Sequence, residues 1–69
     1  MNSAILVDSI KEIIARADKC KDRLEKDKND FDAGRLLAFN EVLSLLKIDF
    51  TGDSVIERVL NFDIDKRYS

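Results

Sequence analysis

Residues 31–50, Phe-Asp-Ala-Gly-Arg-Leu-Leu-Ala-Phe-Asn-Glu-Val-Leu-Ser-Leu-Leu-Lys-Ile-Asp-Phe, constrain the fold of this chain more than any other segment. One apolar set, Leu36, Phe39, Leu43, Leu46 and Phe50, recurs at spacings of three and four, which places it on one face of a helix. A second set, Ala38, Val42 and Leu45, lies beside it, and Leu37 and Ile48 widen the band. A surface helix with one buried side carries an apolar stripe roughly 100° wide. This band is wider, so the sequence predicts a helix packed on two sides. In so short a chain, the second side is expected to belong to another copy or another protein. The interface residues expected on this basis are Leu36, Leu37, Phe39, Val42, Leu43, Leu46 and Phe50.

Size makes association plausible on energetic grounds. The chain has 69 residues, a range in which one core supplies only about 3–5 kcal/mol. Disulfides, a metal or association usually supplement such a core. The single cysteine, Cys20, excludes an internal disulfide, and the absence of histidine removes the commonest metal ligand and general base. Association is the remaining route. With no proline and only two glycines, Gly34 and Gly52, the chain is little punctuated. The expected class is all-α: an antiparallel helical hairpin plus a short third helix, one domain over 1–69, joining a second copy in a helical bundle dimer.

Three helical segments are expected. The first spans residues 3–28, where Leu6, Ile10, Ile13, Ala17, Cys20 and Leu24 follow spacings of 4, 3, 4, 3 and 4, with Ile14 broadening the stripe. Asn2 or Ser3 can cap its start, and a later start near Ser9 is the alternative. The second spans 31–50, with Gly52 placed to end it in the left-handed conformation. The third spans 54–61, opened by a Ser54-Val-Ile-Glu57 capping box. Residues 65–69 are expected to fray, as termini commonly do.

The joint near Asn29 is the least determined position. Ile10, Ala17, Leu24, Phe31, Ala38 and Leu45 are each seven apart, as one continuous helix over residues 3–50 would require. However, the companion seam would then hold Asp27, Gly34 and Glu41, which a coiled coil disfavours. Asn29 and Asp30 also favour turns and caps, so the hairpin is preferred. A turn near Asn29 sets Leu24 opposite Gly34, Cys20 opposite Ala38 and Ile13 opposite Leu45. Gly34, Ala38, Cys20 and Leu24 would then mark close helix packing.

Charge and chemistry restrict the function classes. Twelve basic and 14 acidic side chains give a net charge of −2. Arg16, Lys19, Lys21, Arg23, Lys26 and Lys28 are interleaved with Asp18, Asp22, Glu25, Asp27, Asp30 and Asp32. Such alternation reads as a solvated helix face rather than a nucleic-acid patch. No apolar run reaches membrane-span length, and the short Ala4–Val7 run lacks the basic flank of a secretory signal. A cytoplasmic chain with reduced Cys20 is expected.

No catalytic, metal or cofactor site emerges. Cys20 lies on the apolar stripe with no histidine to activate it. Glu41, near Arg35 and Asn40, lacks a second catalytic group. Asp49, Asp53, Asp63 and Asp65 do not follow the order of a calcium loop. Gly34 and Gly52 stand too far apart to form a phosphate-binding loop.

Phe31 followed by Gly34-Arg35-Leu36, leading into Ala38-x-x-Glu41-Val42-Leu43, resembles small helical proteins of unassigned function from bacterial and phage or mobile-element genomes. The resemblance covers residues 31–46. It implies a helical hairpin and a bacterial or phage setting, and transfers no catalytic or binding residue. The expected function is a non-enzymatic protein-interaction module that self-associates and inhibits or modulates a larger protein. The alternatives are a nucleic-acid-linked regulator, either a weak binder through Arg16, Lys19 and Arg23 or an acidic mimic, and a structural subunit of a larger assembly.

Overall fold

A computed structural model describes residues 3–69, apart from the Ser3 side chain. Its elements are α1 (Ser3–Lys26), α2 (Asp30–Asp49), α3 (Ser54–Val59) and a single closing turn, α4 (Ile64–Arg67). There is no strand among the described residues, and no helix there is long and apolar enough to cross a membrane. The cap expected at Asn2 or Ser3 lies outside what the structure describes. A start at Ser9 is overturned: α1 already runs through it, and the Ser9 hydroxyl donates to the Ile5 carbonyl one turn back at 3.0 Å.

The chain breaks at Asn29 because its side chain supplies what a continuing helix would. Asn29 is extended (φ −147°, ψ 155°), and its Oδ1 accepts the Asp32 backbone N–H at 2.7 Å, so the first free donors of α2 are capped locally. Its Nδ2 donates to the Asp27 carbonyl at 2.8 Å and to Asp32 Oδ2 at 3.1 Å, tying both sides of the joint. The result is a hairpin of two long helices.

The pairing register differs from the expected one. The Cys20 thiol donates to the Asp32 carbonyl at 3.4 Å, not across to Ala38, and Arg23 lies 3.6 Å from the Asp32 carboxylate. Ile13 adjoins Ala38, Phe39 and Val42 rather than Leu45. Leu24 adjoins Ala33, Leu36 and Leu37. Gly34 is exposed, and a Cβ there would meet nothing within 4 Å; Ala38 is exposed as well. Gly34 therefore packs closely against nothing, which overturns that expectation for it, whereas Ala38 lines the seam beside Ile13 of α1. Gly34→Ala is accordingly expected to stabilise the fold by up to about 1 kcal/mol, read as an upward shift of the urea midpoint.

Downstream, Gly52 takes φ +98° as expected past a helix end. The cap of α3 lies one residue earlier than the predicted box. Asp53 Oδ1 accepts from the Val55 and Ile56 N–H groups at 3.1 and 3.2 Å, while Glu57 reaches back to the Gly52 N–H at 2.7 Å. Residues 65–69 are not a frayed end. Asp63 caps α4 by accepting the Lys66 N–H at 3.1 Å, and Tyr68 is 1% exposed.

The core contains Ile10, Ala17 and Cys20 of α1, Leu36 and Leu43 of α2, Ile56 and Leu60 around α3, and Ile64 and Tyr68 around α4. In this arrangement α3 packs on α1 and α4 on α2. The radius of gyration is 12.6 Å, with extents of 38 × 19 × 14 Å. A compact chain of this length would have a radius nearer about 11 Å, so the hairpin is elongated and leaves long helix faces uncovered.

Candidate functional site

The buried stripe of α2 runs Asp32, Leu36, Asn40, Leu43, and the residues on the opposite side of the helix are exposed. Leu36 and Leu43, expected at a subunit interface, lie in the chain's own core at 4% and 0% exposure. Phe39, Leu46 and Phe50 are half-buried against that core. The outward residues are those of the second set and its wings: Leu37 at 58%, Val42 at 46%, Leu45 at 58% and Ile48 at 70%. Thus α2 is apolar on both sides, as its sequence implies; of the expected interface residues Leu37 and Val42 face outward, while Leu36 and Leu43 face inward and Phe39, Leu46 and Phe50 lie against the core. Glu41 stands exposed within the outer band, and no ion pair involves it among the described residues.

A second feature follows the seam between α1 and α2. Ile13, Arg35, Ala38, Phe39 and Val42 line a shallow apolar depression of about 230 Å³. That is below the roughly 300–1,000 Å³ of small-molecule sites. Beside it, Arg16, Lys19, Arg23, Phe31, Asp32 and Arg35 line another depression, and Arg35 borders both. The Arg35 guanidinium lies 5.7 Å from the ring centroids of Phe31 and Phe39, which places its charge at the boundary between them. Neither depression includes a residue of α3 or α4.

The charges interleaved in sequence are sorted by the helix into faces. Asp18 turns toward the C-terminal segment. There it accepts from Arg67 Nε and Nη2 at 3.2 and 2.8 Å and from the Tyr68 hydroxyl at 2.8 Å. Arg16, Lys19 and Arg23 instead line the seam.

Two buried polar residues, Asp32 and Asn40, complete the core-facing stripe of α2. Both continue the spacing of Leu36 and Leu43, a signal that an apolar period alone does not carry. Asn40 Nδ2 donates to the Tyr68 carbonyl at 3.4 Å, and its Oδ1 accepts from the Ser44 hydroxyl at 3.2 Å. Burial of Tyr68, followed by its hydrogen bond to Asp18, pushes its phenol up from 10.0 to about 12. These contacts fasten the tail and assemble no reaction centre. Cys20 is fully buried, with its thiol directed at the Asp32 carbonyl. No three His, Cys, Asp or Glu side chains are grouped to hold a metal among the described residues. Compared with family models, curated proteins and solved structures, the chain finds no match.

Proposed function

We propose that this chain is a non-enzymatic helical interaction module that self-associates through the outer face of α2 and modulates a larger protein by binding it. The observation that carries this reading is the apolar surface of one helix on both sides, with Leu37, Leu45 and Ile48 each more than half exposed. The total surface supports a second copy as the occupant. It is 4963 Å² for a 7.9 kDa chain, against about 4,400 Å² for a compact monomer of that mass. The excess of about 550 Å² reflects the elongated hairpin, which leaves helix surface for a partner to cover. An antiparallel hairpin that docks by one helix onto its copy forms a four-helix arrangement with two-fold symmetry.

Burial of Cys20 fits a structural thiol, and a reducing cytoplasmic setting suits it. The bacterial or phage context rests on the resemblance of residues 31–46. Leu45→Glu tests the reading. At an exposed position it should change monomer stability by no more than about 0.5 kcal/mol, while placing a charge in an apolar interface. Multi-angle light scattering should return a folded monomer. A folded Leu45→Glu dimer would overturn association through this face.

A further inference from the structure

The seam between α1 and α2 is a separate surface from the outer band, although Ala38 and Val42 border both. On one side of the hairpin, α3 and α4 cover the helices; the two seam depressions contain no residue from either. From Ile13 to Arg23 the seam follows ten residues of α1, about 15 Å of helix. That length accommodates between two and three turns of a further helix.

Its chemistry changes along that length. The Ile13 end is apolar, with Ala38, Phe39 and Val42 as its walls. The Arg23 end holds four cations: Arg16, Lys19, Arg23 and Arg35. Two of them have carboxylate partners: Arg16 lies 2.9 Å from Glu12 with both side chains about two-thirds exposed, and Arg23 lies 3.6 Å from Asp32. An exposed pair of the first kind is weak and readily exchanged. Lys19 and Arg35 form no ion pair among the described residues.

We propose that this seam is the docking groove for an acidic amphipathic helix of the partner protein, which rests on the interaction-module reading above and specifies the partner's chemistry. The partner's apolar anchors, spaced i, i+3 or i+4, and i+7, seat against Ile13, Ala38, Phe39 and Val42. Carboxylates on its flank meet Lys19 and Arg35, then Arg16 and Arg23. The juxtaposition of an apolar depression with unpaired cations selects an acidic helix over a basic or neutral one, because like charges at the rim oppose association. An apolar depression beside the cations favours a peptide helix over a nucleic-acid strand, which would engage the cations alone.

The test is a phage-displayed library of random 16-residue peptides, panned against the full chain. Selected peptides are then titrated against Ala38→Trp, which fills the apolar end, and against the doubly substituted Lys19→Glu/Arg35→Glu chain. All three positions are exposed, and circular dichroism confirms folding. The expected result is enrichment of acidic sequences with helical apolar spacing, whose affinity falls by roughly 10-fold or more in each variant. Neutral or basic winners, no enrichment, or binding unchanged in the variants would overturn the groove assignment. So would salt-dependent binding of a fluorescent dT16 oligonucleotide that is lost on Lys19→Glu/Arg35→Glu while no peptide is selected. Light scattering on the same samples separates the two readings. A dimer without a selected peptide removes only the groove, whereas a peptide-binding monomer removes only self-association.

Discussion

Leu43→Glu is expected to unfold the chain rather than dissociate it. Leu43 is completely buried against the chain's own helices, so the substitution forces a carboxylate into an apolar interior. An unpaired buried charge costs several kcal/mol, comparable with the whole stability of about 3–5 kcal/mol available to a core of this size. Far-UV circular dichroism should show loss of helix at neutral pH, in contrast to the folded Leu45→Glu chain. A helical Leu43→Glu protein would place that side chain on the surface and reverse the two faces of α2.

Tyr68→Ala should have an effect of similar size, although it lies one residue from the end. Removing a buried aromatic costs about 3–5 kcal/mol. Here it also removes the edge-on contact with Phe62, whose ring centroid is 6.1 Å away, and the hydroxyl bond to Asp18. Tyr68→Phe keeps the ring and loses only the bond, a cost of about 1 kcal/mol. The hydroxyl also predicts a pH dependence. Folding raises the Tyr68 phenol from 10.0 to about 12, so the folded state favours the neutral form. Its contribution is complete below pH 10 and declines as pH rises toward 12. Because the chain has one tyrosine and no tryptophan, phenolate absorbance reports this residue alone. The folded protein should titrate near 12 and the urea-unfolded chain near 10; identical midpoints would contradict burial of the hydroxyl.

These two residues also show what periodicity can and cannot reveal. The spacing of Ile10, Ala17 and Cys20 exposes one apolar stripe on α1, and the structure buries all three. Residues 31–50 reveal a helix but not its orientation, because apolar side chains occur around most of its circumference. The arrangement of α1, α3 and α4 decides which stripe is internal, and that is tertiary information. Asp53 and Ser54 are both good caps, so the start of α3 is ambiguous by one residue until Asp53 Oδ1 is seen bonded to Val55 and Ile56. Four-residue α4 is too short for any period to appear, and Tyr68 therefore resembles an ordinary terminal residue. The seam was obscured for a different reason. Counting charge along the chain averages Asp18 with Arg16 and Lys19, while the helix sends Asp18 to Arg67 and the cations to the groove.

On one side α2 supports the chain's own core, and in the proposed dimer its other side meets a second copy. Sedimentation equilibrium of the unsubstituted protein across a concentration series reads that association. The proposed dimer requires a mass that rises with concentration from the 7.9 kDa chain toward twice that value. A constant 7.9 kDa at every concentration would contradict it, leaving Leu37, Leu45 and Ile48 as exposed side chains with no second copy to cover them.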